Sequence, residues 1–322
     1  MLYQTENRHG GDIYGGIALD FSANVSPLGT PRSVTDAIER ALPKLYRYPD
    51  PYCRTLVQTI SEYEGVPKNF VLCGNGASEL IYAYCGAVRP KRAMELAPTF
   101  SEYSLALRRT GCEVVRFALK QEENFDLRKD FLPFLAREKI DALFLCNPNN
   151  PTGVVYDEAT IKAMAAILEK KEKEFGISIL LISDEPYREI VFAGFSAPWL
   201  PDFYDDTLVC YSYSKSLSLP GERIGYILVP PAAAEHDALY AAVCGAGRVL
   251  GYVNAPSLFQ QVVSRCCDLT ADISVYERNC ALLTDALREM GYHVVQPGGA
   301  FYLFPRSLEP DDMAFRERAK QF

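Results

Sequence analysis

Lys215 ends the stretch that decides the fold, LVCYSYSK, residues 208–215. Its first half, Leu208 to Tyr211, is a continuous apolar run, which is typical of a strand buried on both faces of a sheet. A polar turn directly after such a strand lies at the carboxyl edge of the sheet, where α/β proteins bind their ligands. The stretch therefore predicts an α/β fold with a ligand site around Lys215.

Apolar runs alternate with helical patterns along most of the chain. Six further strands are predicted at Phe70–Cys73, Ala93–Leu96, Val114–Leu119, Leu143–Cys146, Ser178–Ser183 and Tyr226–Val229. Helices are predicted at Ser33–Leu42, Ala77–Val88 and Ala159–Phe175, and a helix-like segment at Asp312–Gln321. Continuous apolar strands separated by helices indicate a mainly parallel sheet covered by helices on both faces. After about Ala255 the pattern predicts helices and then a strand at Phe301–Phe304.

Length and composition favour a two-domain globular protein. The chain has 322 residues, with 48% hydrophobic and 23% charged residues, which is ordinary for a globular protein. We expect an N-terminal arm with part of a small domain (1–45), a large domain that binds the cofactor (46–245), and an incomplete C-terminal small domain (246–322). The small domain is expected to be of the α+β type and to be formed by both chain ends.

Charge and residue usage argue against several classes of partner. The net charge of −8 does not suit nucleic acid, because neutralising phosphates needs clustered Lys and Arg. Ten scattered cysteines without a C-x-x-C motif and three distant histidines indicate reduced thiols and no metal site. The start of the chain lacks the apolar core of a signal peptide, and the longest apolar run is too short to span a bilayer. We expect a cytoplasmic protein that does not associate with membranes.

Lys215 is a candidate for a covalent bond to pyridoxal phosphate (PLP). A single lysine on a loop is usually only a solvated charge. Here Lys215 follows a buried strand, Ser212 and Ser214 precede it, and Arg223 follows between Gly221 and Gly225. PLP needs an amine for its Schiff base, and hydroxyl groups and a guanidinium for its phosphate. These residues supply that set.

Asp184 ends the predicted strand before Glu185-Pro186-Tyr187. The simpler interpretation is a helix cap or a turn residue, which is common for Asp. The functional interpretation is a carboxylate against the pyridine nitrogen of PLP, which keeps that nitrogen protonated so that the ring accepts electrons. Tyr187 would then reach the ring hydroxyl.

Two further loops follow strands at the same predicted edge. The turn 147–153, NPNNPTG, needs no function, but its position makes Asn150 a candidate donor to the cofactor ring oxygen. The loop 74–79, GNGASE, has small residues that open a helix and let backbone N–H groups approach a phosphate. The loop could also belong to a dinucleotide site, but Glu79 occupies the third glycine position of that motif. Phe100 could stack on a ring or belong to the core.

Together these residues resemble the fold-type I PLP enzymes, the superfamily of aspartate aminotransferase and of class I and II aminotransferases. The resemblance covers nearly the whole chain. It implies Lys215 as the Schiff-base lysine, Asp184 at the ring nitrogen, and Tyr187 and Asn150 at the ring oxygen. Further cofactor-binding residues that it implies are Gly76, Ala77, Ser78, Phe100, Ser212, Ser214 and Arg223. It also implies a homodimer in which Tyr48 reaches the phosphate in the partner subunit.

The two halves of the chain resemble different branches of this superfamily. The N-terminal segments HGG (9–11), LDFSAN (19–24) and PLG (27–29) are similar to threonine-phosphate decarboxylases and to the related histidinol-phosphate aminotransferases. In that branch the residues that match His9 and Asn24 contact the substrate. The segments SDEPY (183–187), YSYSK (211–215) and PGGAFY (297–302) are more similar to general amino-acid aminotransferases.

The C-terminal end departs from the family pattern. Family members continue with a strand whose arginine pairs with the substrate α-carboxylate, and no residue before Phe322 can be assigned that role. We therefore expect the printed chain to be truncated, or the carboxylate to bind elsewhere. The sequence predicts an aminotransferase with amino-acid and 2-oxo-acid substrates, and phosphorylated amino acids are among the candidates. The alternatives are a decarboxylase of O-phosphothreonine in corrinoid biosynthesis and a PLP-binding protein without activity.

Overall fold

The computed structural model describes residues 24–319, whose centre is one seven-stranded sheet. The strands are β1 (Val71–Gly74), β2 (Arg92–Ala97), β3 (Glu113–Ala118), β4 (Ala142–Cys146), β5 (Leu180–Asp184), β6 (Thr207–Ser212) and β7 (Gly225–Leu228). The first helices are α1 (Arg32–Ala41), α2 (Arg54–Glu64), α3 (Ala77–Val88), α4 (Glu102–Arg109), α5 (Phe131–Leu135) and α6 (Glu158–Phe175). They are followed by α7 (Tyr213–Ser216), α8 (His236–Val249), α9 (Ser257–Val263), α10 (Ile273–Glu289) and α11 (Asp312–Ala319). Short 3-10 turns cover Leu42–Lys44, Lys68–Phe70, Gln121–Glu123 and Leu200–Asp202.

The predicted, mainly parallel sheet is confirmed. The strand order is β1-β7-β6-β5-β4-β2-β3, and among the strands of the described chain β7 alone runs opposite to the other six. The seven strands predicted between residues 70 and 229 are all present, each within two residues of its predicted ends. Because β1, β4, β5 and β6 are parallel, the loops that follow them meet at one edge of the sheet.

Helices cover both faces of the sheet, as predicted. On β6, Leu208 and Cys210 pack against one hydrophobic cluster and Val209 and Tyr211 against another. This alternation explains why the strand is apolar at every position. Burying a side chain such as Leu208 or Val209 stabilises the fold by about 1.5–3 kcal/mol. The buried strands therefore hold the loops at the sheet edge in defined positions.

The first helix of the described chain, α1, packs against α9 on one face of the sheet. Val34 and Ala37 of α1 belong to the same hydrophobic cluster as Val262 and Val263 of α9. That cluster also contains Tyr226 of β7. The first helix after the N-terminal arm is therefore attached to the large sheet through α9.

The predicted strand at Phe301–Phe304 is wrong. No strand includes these residues, and Gly299 makes only an isolated bridge to Val191. A strand needs a neighbour to pair its backbone groups with. Among residues 24–319, the backbone around this segment makes isolated hydrogen bonds instead of a regular ladder. One of them runs from the Arg306 N–H to the carbonyl of His293 at 2.9 Å. The helices predicted in this region are present, and α11 follows the predicted segment as far as Ala319.

Candidate active site

The loop between β1 and α3 brings backbone N–H groups to the carboxyl edge of the sheet. Gly76 directly precedes α3 and has φ +87°, a conformation that favours glycine. No side chain caps this helix end. The first amides of α3, at Ala77 and Ser78, could therefore bind an anion.

Three strand ends hold this loop in place. The register sets Ser212 beside Gly225, and Gly225 beside Gly74. A Cβ atom on Gly225 would lie 2.3 Å from the carbonyl oxygen of Tyr211 and 3.0 Å from the Cα of Gly76. Only glycine permits this approach, which packs the loop directly against the end of β6.

Hydroxyl groups and a guanidinium surround the same loop. The Oγ atoms of Ser212 and Ser214 lie 2.7 Å apart, and Ser212 Oγ also accepts a hydrogen bond from the Ser214 N–H. Arg223 Nη2 lies 2.9 Å from the position that a Cβ atom on Gly76 would occupy. The guanidinium therefore covers the loop and could bind a phosphate together with the serines.

Lys215 lies in the short helix α7, beside this group. Its Nζ donates a hydrogen bond to the backbone oxygen of Asn24 at 2.9 Å and lies 5.1 Å from the centroid of the Phe301 ring. Burial, and secondarily the positive charge of Arg223, lower the pKa of Lys215 to about 8. A lowered pKa leaves more of the amine neutral near pH 7, and the neutral amine is the nucleophile.

Asp184 ends β5 and is buried, with 3% of its surface exposed. Its Oδ2 accepts a hydrogen bond from the Tyr103 hydroxyl at 2.6 Å. Its Oδ1 is buried and has no partner among the described residues. Burial raises the pKa of Asp184 to about 7, although the bond from Tyr103 acts in the opposite direction. A buried oxygen without a partner is costly, so a ligand that donates a hydrogen bond to Oδ1 would remove this cost.

Tyr187 connects the Asp184 segment to two other parts of the site. Asn150 Nδ2 donates to the Tyr187 hydroxyl at 3.3 Å, and the Tyr302 hydroxyl lies 2.5 Å from it. Burial raises the pKa of Tyr187. In the same turn Asn147 instead bonds to the backbone of Tyr156, so the side chain of Asn150 is the one that faces the site.

The remaining predicted residues are placed in different ways. The Phe100 ring lies edge-on to Tyr103, with centroids 5.5 Å apart, which puts it beside the partner of Asp184. Asn24 meets Lys215 through its backbone rather than its side chain. Tyr48 is 97% exposed. His9 lies outside the described residues.

Sequence analysis missed several contacts of the site. Tyr103 was not singled out, although it lies in the first helix after β2 at the same sheet edge. Phe301 and Tyr302 were noted within a family motif and a predicted strand but not as site residues, yet they contact Lys215 and Tyr187. Tyr276 stacks on Phe301 with a centroid distance of 5.9 Å and donates to Ser26 Oγ at 3.0 Å. The sequence feature that could have indicated these aromatic contacts is the pair of aromatic residues in the segment PGGAFY (297–302).

Other features of the described chain do not suggest a competing site. Residues 24–319 hold no cluster of His, Cys, Asp or Glu suited to a metal ion. None of their helices is both long and apolar enough to cross a membrane. A separate cavity of about 420 Å³ lies between residues 154–157 and 294–298, and none of the predicted site residues lines it.

The chain resembles proteins of known type. Residues 17–319 match the sequence profile of the family "Aminotransferase class I and II". The threonine-phosphate decarboxylase of Salmonella typhimurium is 36% identical over 65% of this chain and 56% of its own length. A histidinol-phosphate aminotransferase of Desulfitobacterium hafniense is 32% identical over 65% of this chain and 57% of its own. The chain thus spans somewhat more than half of these relatives.

Solved structures agree on the fold. An amino transferase from Eubacterium rectale has a TM-score of 0.84 and 40% identity, covering 94% of this chain and 79% of its own. A mutant aspartate aminotransferase of Thermus thermophilus has a TM-score of 0.81 over 93% of this chain and 84% of its own. At 22% identity the second likeness supports the fold alone.

Proposed function

Because the chain belongs to the family of class I and II aminotransferases, we propose that it is a PLP-dependent aminotransferase acting at the α-carbon of an amino acid. One observation carries the proposal. A buried carboxylate oxygen without a partner, Asp184 Oδ1, lies at the same sheet edge as Lys215, whose amine has a lowered pKa. A ligand with a ring N–H donor and an amine-reactive aldehyde matches both groups, and PLP has both.

The residues of the site fit PLP. The uncapped start of α3, the two serine hydroxyls of β6 and α7, and Arg223 suit its phosphate. Asp184 Oδ1 suits the ring nitrogen, while Asn150 and Tyr187 suit the ring oxygen. Phe100 would lie against the ring face.

The chain's own groups then have separate tasks. PLP, when bound, takes up the electrons of a bond broken at the α-carbon. Asp184 holds the proton at the ring nitrogen, because its ionised form gains a charged partner there. The Lys215 amine would serve as the general base that accepts the proton of the substrate α-carbon, and as the general acid that gives this proton to the cofactor carbon bearing the amino group. Phe301 lies beside the Lys215 amine and Tyr302 beside the Tyr187 hydroxyl, so both would line the cofactor site.

Cofactor binding is tested by replacing the lysine. The wild-type protein incubated with PLP should be yellow, and after borohydride reduction mass spectrometry should find the cofactor on the peptide that contains Lys215. Lys215→Ala should show neither signal, whereas Lys170→Ala, on the exposed face of α6, should behave like the wild type. A wild-type protein that stays colourless with excess PLP would overturn the proposal.

Decarboxylation of a phosphorylated amino acid is the second candidate, favoured by the 36% identity to a threonine-phosphate decarboxylase. The two reactions differ in which bond at the α-carbon breaks, and the products report it. Amino acid plus 2-oxoglutarate should yield a new 2-oxo acid and glutamate if the protein is an aminotransferase. O-phosphothreonine should yield carbon dioxide and a phosphorylated amine if it is a decarboxylase.

A homodimer is the proposed working form, because two neighbouring segments expose large apolar side chains. Tyr48 is 97% exposed and Val249 is 87% exposed. Asn254 joins the two segments, since its Nδ2 donates to the carbonyl of Pro51 at 3.1 Å and its own carbonyl accepts from Asn75. The surface therefore borders the proposed phosphate site, and monomers rarely expose such patches.

All ten cysteines lie in the described range and are free, which supports a cytoplasmic location.

A further inference from the structure

Arg188 is a buried cation directly behind the Asp184 segment. Only 15% of its side chain is exposed. Its Nη2 contacts the carboxylate of Glu64 on α2 and donates to the Tyr226 hydroxyl at 2.7 Å. Its Nε lies 3.3 Å from Glu189 Oε1. A guanidinium held by this many partners has one fixed position.

The contacts continue from Arg188 to the turn that carries Lys215. The Tyr211 hydroxyl donates to Glu189 Oε1 at 2.7 Å and lies 2.8 Å from Ser216 Oγ. Ser216 is the residue after Lys215 and the last residue of α7. The Arg188 guanidinium also lies over the Tyr211 ring, 4.4 Å from its centroid. The side chains of Glu189 and Tyr211 thus connect Arg188 to the turn that carries Lys215.

Removal of the Arg188 charge would leave several nearby carboxylates without their positive partner. Three carboxylates, Glu64, Glu185 and Glu189, lie within 4 Å of the guanidinium. Burial raises the pKa of Glu185 to about 7. Burial alone would lower the pKa of Arg188, but Tyr226 and the carboxylates raise it. The guanidinium therefore stays charged and compensates acids that are themselves buried.

The cluster joins the two segments that hold opposite sides of the site. Arg188 follows Asp184 by four residues and Tyr187 by one. Through Glu189 and Tyr211 it reaches the turn of Lys215. A displacement of about 1 Å at a catalytic group can cost about 100-fold in rate, and such groups need supporting contacts.

We propose that Arg188 is a positioning residue that fixes the Lys215 turn relative to the Asp184–Tyr187 segment through Glu189, Tyr211 and Ser216. The proposal rests on the proposed function, because the position matters only if Lys215 and Asp184 hold one cofactor. Within the described residues, Arg188 itself makes no hydrogen bond or ion pair with the lysine amine or the Asp184 carboxylate.

The test uses holoenzyme reconstituted with PLP and two readouts besides activity. One is the pKa of the cofactor–lysine bond, from a spectrophotometric pH titration, and the other is the rate of PLP release. Tyr211→Phe removes one hydroxyl in the middle of the path, and Ser216→Ala removes its far end. Each should shift that pKa by about half a unit or more and speed PLP release by about fivefold or more. Arg188→Met should have the larger effect and Arg188→Lys a smaller one.

Arg116→Met is the matched control. Arg116 pairs with the buried Glu95 at 2.5 Å, on β3 at the far edge of the sheet. It should lower the melting temperature without changing either readout. If Tyr211→Phe and Ser216→Ala titrate and release PLP like the wild type, the cluster only stabilises the fold and the inference is wrong; this holds even if Arg188→Met does not fold. A wild-type protein that binds no PLP would instead refute the proposed function.

Discussion

The two oxygens of Asp184 lie in opposite situations. Oδ2 is satisfied by the Tyr103 hydroxyl, and Oδ1 is buried without a partner among the described residues. Such an oxygen destabilises the protein without ligand, by about 1–3 kcal/mol for a polar group and by more once it is ionised. Under the proposed function, a cofactor that donates a hydrogen bond to Oδ1 removes this cost.

Asp184→Asn should stabilise the protein without cofactor and impair turnover. The folded-state pKa of Asp184, about 7, is raised above the ordinary value. The folded protein therefore favours the protonated form of Asp184. The free energy of unfolding is highest below about pH 4 with respect to this group, and it falls as the pH rises from about 4 through 7. The melting temperature of Asp184→Asn, relative to the wild type, should be nearly equal at pH 4 and several degrees higher at pH 8. Turnover should fall at least about 100-fold, because an amide cannot hold the ring proton.

Asp206→Asn is the control for this change. Asp206 is also buried, but it lies just before β6, at the opposite end of that strand, and accepts a hydrogen bond from the Ala234 N–H. Its Oδ1 has this backbone partner and the residue lies away from the proposed site, so its replacement should leave PLP binding and turnover unchanged. Near-normal turnover of Asp184→Asn would mean that Asp184 is only a turn residue.

Lys215 should capture PLP faster as the pH rises through about 8. Only the neutral amine attacks an aldehyde, and burial together with Arg223 lowers the pKa of Lys215 to about 8. The rate at which the visible absorbance develops, measured from pH 6 to 10, should rise and then level off above this value. A rate that still climbs steeply at pH 10 would show an unperturbed lysine.

At the scale of the elements, hydrophobic patterning predicted the strands because the sheet is buried on both faces. Continuous apolar runs such as 208–211 mark such strands directly. The predicted strand at Phe301–Phe304 was wrong for a physical reason. An apolar run reports burial, whereas a strand also requires a partner for its backbone. Phe301 is partly buried against the core as an aromatic side chain, so its apolar character has another cause.

The site was predictable where it depends on strand ends, and not where it depends on distant contacts. Lys215, Asp184 and Asn150 each follow a predicted strand, and their convergence comes from the parallel arrangement. Tyr103 lies 81 residues from its partner Asp184, and Arg188 lies 124 residues from Glu64. No local pattern encodes such pairs, because they arise from the packing of whole elements.

Gly76→Ala should weaken PLP binding through the β1–α3 loop. The new methyl group would lie 2.9 Å from Arg223 Nη2, in a backbone conformation with φ +87°. Both the strain and the displaced guanidinium should raise the dissociation constant of PLP at least about tenfold. Gly65→Ala is the control, since Gly65 has φ +67° with nothing within 4 Å of a Cβ atom. It should lose about 1 kcal/mol of stability and bind PLP normally; equal losses of affinity in both variants would refute the role of the loop.

At the scale of the whole molecule, the large side chains around Tyr48 would be covered in a dimer and exposed to solvent in a monomer. Tyr48 and Tyr52 precede α2, and Val249 and Tyr252 end or follow α8; all four are more than half exposed. The proposed homodimer covers them and places Tyr48 at the phosphate of the neighbouring site. Each site would then be composite, which makes a defect in Tyr48 separable from a defect in Lys215.

Mixing Tyr48→Phe subunits with Lys215→Ala subunits should therefore restore part of the activity that each variant lacks. A mixed dimer has one site with both defects and one site with neither. Random reassortment of equal amounts makes about half of the dimers mixed, so about a quarter of the wild-type activity should return. Asp184→Asn mixed with Lys215→Ala is the matched control, because both residues belong to the same chain's site and no mixed dimer has an intact one. Recovery in that control, or an active monomer at the assay concentration, would show that Tyr48 does not act across an interface.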